Sequence, residues 1–272
     1  MPLHKIAFLV IIGTAIIFAG ITYASTHWVQ VTEVRVKITE LPADLDGLRI
    51  LHLTDWHNRS SSQTTIDVLA TVGEERFDLI CLTGDLVESQ VSQIEPVTRV
   101  LAQLRRETPI LSVIGNHDWS AGGPQVIQAL EDVGVESLEN ASTSIEIRGV
   151  SLTLVGVSDF YSRRSDVDAA FSEVDDAFKL VLTHDPRIFP LVADKGPALV
   201  LAGHTHGGQI RLPFFGTLYA PGQGFFPKYG DGLYWKHDSV LYISRGLGYT
   251  SILPFRFWNR PEITVLTLHR QD

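Results

Sequence analysis

The chain has 272 residues, 44% of them hydrophobic, and a formal net charge of −9. That length suits one α/β domain with an appendage, and the apolar content is ample for a buried core. The acidic balance argues against a nucleic-acid backbone as partner, and a single cysteine, Cys81, excludes an intrachain disulfide.

The first element in the chain is apolar. Residues 6–24 carry no charge and follow Lys5, long enough to cross a hydrocarbon core as a helix. A cleavable signal peptide competes, because Thr22-Tyr23-Ala24 resembles a small-residue cleavage site. The length of the stretch, with Tyr23 and Trp28 suited to an interfacial belt, favours an uncleaved anchor over residues 1–28. Lys5 before the span is balanced by Arg35 and Lys37 after it, so the side carrying residues 29–272 is left undecided.

Residues 29–39 alternate apolar and polar side chains (Val29, Val31, Val34, Val36, Ile38), the pattern of an edge strand. A turn at 41–47 leads to a strand over 48–54. Helix 64–75 follows, then strand 78–83, helix 94–106, strand 109–114 and helix 124–133. The second half opens with strands 144–148 and 151–157. Helix 166–178, strand 179–183, strand 198–202 and two late strands, 240–244 and 263–269, complete the series. Strands and helices alternating in both halves predict a layered α/β domain: a sandwich of two mixed sheets between helices.

Five of these strands end on residues that bind metals. The segments are Asp55-Trp56-His57, Gly84-Asp85, Gly115-Asn116-His117-Asp118, His184-Asp185 and Gly203-His204-Thr205-His206. Ligand sites of open α/β sheets lie at the carboxyl ends of strands. Asp55 and His57 are two apart on one loop, so both can turn toward one ion. Asp85 follows a glycine, and its two carboxylate oxygens make it the natural bridge between two cations. Asn116 adds a neutral oxygen, and His184, His204 and His206 add neutral nitrogens. Mixed nitrogen and oxygen donors suit Mn, Zn or Fe better than Ca or Mg.

The remaining polar residues read more plainly. His52 is a core residue or a support beside the site, and Cys81 is a buried strand thiol. His4, His27, His237 and His269 lack a motif and read as surface. Asp185-Pro186 is a turn or a support to the site, and Gly207-Gly208 marks close packing.

The motif series resembles the calcineurin-like metallophosphoesterase superfamily over residues 48–208. The longer string Gly203 to Ile210 and the tail Arg245-Gly246-Leu247-Gly248 with Arg260-Pro261-Glu262 are similar to a membrane-anchored branch. That branch includes the bacterial phosphodiesterases YaeI and YkuE and UDP-2,3-diacylglucosamine pyrophosphatase. The resemblance implies one metal held by Asp55, His57, Asp85 and His206, and a second held by Asp85, Asn116, His184 and His204. It also implies a bacterial cytoplasmic-membrane enzyme that hydrolyses a phosphodiester or pyrophosphate, with a lipid-linked substrate as in lipid A synthesis. A cell-wall or teichoic-acid phosphodiester is the alternative substrate, and a non-catalytic scaffold of the same fold the remote one. Trp56 departs from the aliphatic residue usual at its position, and either narrows the site or lies under it.

Two divalent cations answer the difficulty of the reaction: they offset the negative charge of the phosphate ester and acidify a water near neutral pH. His117 is expected over the site, stabilising developing charge or protonating the leaving oxygen, with Asp118 orienting its ring. Aromatics crowd 212–229 and 252–258, either covering a core edge or meeting lipid, and Arg256 or Arg260 is placed to pair with a second phosphate.

Overall fold

The computed structural model describes residues 2–57, 69–70, 72, 74–104, 108–174, 178–249 and 254–271. The helix expected over 64–75 falls largely outside these.

The apolar start forms α1, Leu3–His27, a helix of 25 residues. At about 1.5 Å per residue it is long enough to cross a hydrocarbon core of about 30 Å. Its large side chains, from Leu3 to Phe18, are exposed, and only Ser25 and Thr26 are buried.

The remainder is built on two six-stranded sheets. The first comprises β1 (Gln30–Ile38), β2 (Arg49–Leu53), β3 (Leu79–Thr83), β4 (Ile110–Val113), β5 (Glu136–Ser137) and a last strand, Glu262–Arg270. Its order is β1, the last strand, β2, β3, β4, β5. The last strand runs parallel to β1 and antiparallel to β2, and β2 to β5 are mutually parallel. β1 is therefore the edge strand that its alternation predicts.

The second sheet holds β6 (Ala141–Ile147), β7 (Val150–Val157), β8 (Lys179–Thr183), β9 (Leu199–Ala202) and the hairpin Gly232–Lys236 with Ser239–Ile243. β7, β8, β9 and Ser239–Ile243 are parallel, with β6 and Gly232–Lys236 antiparallel at the two edges. The strand Gly232–Lys236 has no counterpart among the expected elements. Its side chains are mostly half-buried, so the alternation that marks a one-sided strand is weak.

Period-2 alternation partitions the core. In β3, Leu79 and Cys81 face the second sheet, where they join Leu154, Leu180 and Leu201. Ile80 and Leu82 face outward onto α2 (Glu95–Leu104) and the later helix Gly123–Glu131, through Val97, Leu101, Val126 and Leu130. Val155, Val181 and Val200 of the second sheet likewise meet Ile188, Phe189 and Val192. The layers are helix, sheet, sheet, helix, the expected sandwich.

The helix expected over 166–178 is a single turn, Val167–Ala170, with Asp166 as its cap. Val167, Phe171 and Val174 still lie against the core at helical spacing. The Ser172 hydroxyl bonds the Ala169 carbonyl at 2.8 Å, a local alternative to continuing the helix.

Candidate metal centre

The carboxyl ends of β2, β3 and β4 in one sheet meet those of β8 and β9 in the other, and all seven expected metal ligands lie there. Two groups of donors converge, each with ligand atoms within 4.8 Å of one another: Asp55, His57 and His206, and Asp85, His184 and His204. Each of these six side chains is buried. Asp85 Oδ2 sits between the groups, 3.8 Å from His57 Nε2 and 3.1 Å from His184 Nε2.

The nitrogens are aimed as metal ligands are. His57 Nε2 and His206 Nε2 face each other at 3.2 Å, and His204 Nδ1 and His184 Nε2 do the same at 3.2 Å. Nitrogens bound to one divalent ion through bonds of about 2.1 Å stand at such a separation. His184 Nδ1 donates to the Thr83 carbonyl at 2.7 Å, leaving the Nε2 lone pair for the site. Asn116 Oδ1 is buried with no hydrogen-bond partner among the described residues, a polar oxygen that a cation would satisfy. The donor set therefore fits a pair of divalent cations.

The backbone at these positions is unusual. Asp55 (φ 50°), His57 (φ 48°), Asp85 (φ 53°), His204 (φ 69°) and His206 (φ 52°) all occupy the left-handed region. The loop tips also touch. A Cβ on Gly115 would collide with the Asp85 carboxylate, and one on Gly203 would collide with Thr54 and Asp55, which accounts for both glycines.

Electrostatics divides the histidines. Burial opposes protonation of His184, but the Asp85 carboxylate outweighs it and holds His184 well above the ordinary histidine value. His57 is likewise raised, against burial, by Glu88 and Asp85. Burial, reinforced by His57 and Arg256, holds His206 well below that value, and burial with His184 lowers His204. Asp85 is depressed, its own burial overcome by His184 and His57.

His117 lines a cavity of about 430 Å³ with Asp85, Asn116, His204, Tyr161 and Tyr219. Its Nδ1 lies 2.8 Å from the Glu88 carbonyl, which fixes the ring and leaves Nε2 for the cavity. The expectation that Asp118 orients this ring is corrected. Asp118 accepts from the Val87 and Gly115 amides, both at 2.9 Å, so it ties two metal loops together. Burial, with Asp85 nearby, raises its carboxyl to about 6.

Arg256 and Arg260 do not reach the cavity. Arg256 is fully buried and donates to the carbonyls of Arg245, Gly246 and Gly248. Burial lowers it to about 10. Arg260 bonds the Trp28 and Val29 carbonyls, at 2.8 and 3.1 Å. Both arginines clamp backbone, their guanidiniums taken up by loop carbonyls. The tail motif does related work: Arg245 pairs with Glu262, while the amides of Leu247 and Gly248 bond Thr54 and Asp55.

Other readings resolve locally. Trp56 is fully buried in the outer core cluster beneath the site, and does not narrow it. His52 is buried, bonded to Thr83 at 2.8 Å and lowered to about 3 by burial. Asp185 caps the turn at Arg187 and binds its guanidinium, which reaches the Gly222 carbonyl at 3.1 Å.

Two residues at the site escaped the motif reading. Glu88 Oε2 lies 2.6 Å from His57 Nδ1, and Tyr161 places its ring 5.1 Å from that of His204. Glu88 stands three residues past Asp85 on the same loop, a proximity that could have flagged it. No spacing rule pointed to Tyr161.

A profile of the calcineurin-like phosphoesterase family matches residues 48–208. The chain is 32% identical to the uncharacterized metallophosphoesterase YkuE of Bacillus subtilis, across 90% of this chain and 87% of that protein. It is 30% identical to the phosphodiesterase YaeI of Escherichia coli, across 94% of both. It is also 30% identical to a Danio rerio transmembrane protein with a metallophosphoesterase domain, across 88% of this chain and 57% of that one. In fold it is similar to a 5′-nucleotidase precursor of Thermus thermophilus, with a TM-score of 0.52 at 11% identity, covering 81% of this chain and 54% of the other.

Proposed function

The chain belongs to the calcineurin-like phosphoesterase family and is a phosphoester hydrolase, and on that premise we propose how its residues divide the work. Asp55, His57, Asp85 and His206 hold one divalent cation. Asp85, Asn116, His184 and His204 hold the second. Mn is the first choice, with Zn or Fe as substitutes, because the donors mix imidazole, carboxylate and amide. When bound, the cations supply charge neutralisation at the phosphoryl group and an acidified water.

The protein's own groups do the rest. Glu88 and Thr83 fix the tautomers of His57 and His184. His117, held by the Glu88 carbonyl, presents Nε2 to the cavity and donates a proton to the departing oxygen. Asp118 keeps the Asp85 and Asn116 loops in register. Tyr161 and Tyr219 wall the cavity against bulk water.

The substrate is a phosphodiester or pyrophosphate of a membrane lipid, with UDP-2,3-diacylglucosamine the leading instance and a cell-wall or teichoic-acid diester the alternative. Residues 1–28 anchor the protein in a bacterial cytoplasmic membrane, and residues 29–272 form the catalytic domain. The observation carrying the reading is Asp85 Oδ2, which lies between two groups of buried ligand atoms. The test is purified full-length protein loaded with Mn, assayed on bis(p-nitrophenyl) phosphate, a UDP-linked diacylglucosamine and a teichoic-acid polymer. Two ions per chain and turnover of the UDP-lipid are expected. No more than one bound ion under any loading, or Asp85→Asn turnover equal to wild type, would overturn it.

A further inference from the structure

The metal chemistry makes no use of the most exposed aromatics outside α1. Phe214 is fully exposed, and Phe215, Phe225 and Phe226 are each at least 69% exposed. They sit on two small hairpins, Arg211–Leu212 with Gly216–Thr217, and Tyr219–Ala220 with Gly224–Phe225. A cluster of this kind marks an interaction surface.

The backbone ties this surface to α1. Phe257 stacks on Phe18 of α1, ring centroids 4.8 Å apart. Phe257 in turn bridges Ile210. The Ile210 carbonyl accepts from Leu218 at 3.1 Å, and the Leu218 carbonyl accepts from Phe226 at 2.8 Å. Phe257, Ile210, Leu218 and Phe226 thus form one rung of apolar residues leading outward from α1. Successive chains in such a ladder stand about 4.8 Å apart. Phe18 lies nine residues before His27, the end of α1, on the order of 13 Å along the axis. With α1 across a bilayer, the rung starts below the headgroups.

Charge agrees. The chain carries −9 overall, yet residues 207–230 contain no aspartate or glutamate and hold the exposed Lys228. Arg260 stands on the Trp28 and Val29 carbonyls at the end of α1, whereas Arg211 and Arg245 are matched by Asp231 and Glu262 and Arg256 is buried. Lys228 and Arg260 suit an anionic leaflet. The same loop reaches the metal site, since Tyr219, Pro221 and Gly222 line its cavity with Asp85, Asn116 and His117.

We infer that segment 210–226, with Phe257 and Trp258, is a collar seated in the lipid bilayer beside α1, which opens the metal cavity to the headgroup layer. The occupant of this surface is the bilayer itself. The inference rests on the lipid-phosphoester reading for its purpose, but not for its position.

The position is measured on the full chain in vesicles of phosphatidylethanolamine and phosphatidylglycerol. Phe214→Cys and Phe226→Cys, labelled with an environment-sensitive fluorophore, are compared with Asp44→Cys, which precedes β2 at the end remote from the site. Cys81 is buried and does not compete for label. Nitroxide-bearing acyl chains should quench the labels at 214 and 226 strongly and the label at 44 weakly. Equal quenching at all three overturns the inference.

The purpose is measured with the triple variant Phe214→Ser, Phe215→Ser, Phe226→Ser. Turnover of bis(p-nitrophenyl) phosphate in solution should stay within about twofold, while that of phosphatidyl-p-nitrophenol in the vesicles falls by about tenfold or more. A wild-type ratio between the two substrates overturns the inference. Quenching at 214 and 226 with neither diester cleaved by wild-type protein supports the collar and counts against the hydrolytic reading alone.

Discussion

Replacing Glu88 should loosen one metal and spare the other. Its carboxylate lies 2.6 Å from His57 Nδ1, largely buried, and carries the charge that raises His57. Glu88→Ala strips a buried imidazole of the carboxylate that faces its Nδ1, and a charged contact of this kind contributes about 1.5–3 kcal/mol. That corresponds to roughly 10- to 100-fold weaker binding at the Asp55, His57, His206 position, in line with the usual effect of removing a carboxylate behind a ligating histidine. Glu88→Gln keeps a neutral acceptor and should lose about half as much free energy. The second position keeps its affinity, because His184 takes its orientation from the Thr83 carbonyl. The His117 ring keeps its orientation, since the Glu88 backbone carbonyl holds its Nδ1 at 2.8 Å while the side chain stands 3.9 Å from it. Titration against a competing chelator, followed by metal analysis, should show one binding phase displaced and one unchanged. Equal weakening of both phases, or of neither, would refute the reasoning.

His117→Gln should lower kcat by about 10²–10⁴-fold with both ions still bound, and the loss should shrink for diesters with acidic leaving groups, which need no proton. Metal affinity should rise with pH, because His57 and His184, held above their ordinary value, must shed protons before binding; calorimetry in buffers of different ionisation enthalpy should show proton release on loading. Glu139 supplies a stability test. Burial raises it from 4.5 to about 7, while it accepts from the Ile114 amide at 2.8 Å and from the Ser158 hydroxyl. The folded state therefore binds a proton that the unfolded chain has lost, so this contribution of about 3 kcal/mol is present below pH 4.5 and disappears as pH rises through 7. Glu139→Gln should flatten the thermal-melting profile between those pH values, and an unchanged profile would refute the assignment.

What the sequence made legible were features with a period or a fixed spacing. β3 shows this: Leu79 to Leu82 is a continuous apolar run because both its faces are buried, and it ends at Gly84-Asp85. The same logic located all five strand ends, which the structure brings to one cleft. The misses have a different physical origin. Arg256 sits among loop aromatics and reads as a partner for a second phosphate, but its guanidinium is consumed by the loop carbonyls of Arg245, Gly246 and Gly248. Asp118 adjoins His117 and reads as its partner, yet it sits at the third position of a short helical turn, facing back to the Gly115 amide as a capping residue does. Both errors come from assigning polar side chains to a ligand before backbone donors and acceptors are satisfied.

Backbone geometry carries information that residue type does not. Left-handed φ at a residue other than glycine costs about 1–3 kcal/mol, and five of the seven expected ligands adopt it. In a fold selected for stability alone, glycine would relieve that strain at every one of those positions. Where glycine does occur, at 115 and 203, the neighbour it admits is a carboxylate of the site, so even the unstrained positions serve the approach of loop to loop. The strain persists because strands fully buried on both faces fix where each loop begins, and the side chain must turn back over the strand end to meet its partners. A sandwich of two sheets supplies such strand ends from opposite sides of one cleft. That is why Asp55, His57, Asp85 and Asn116 arrive from β2, β3 and β4, while His184, His204 and His206 arrive from β8 and β9, and why removing either sheet's contribution breaks up both groups of ligand atoms.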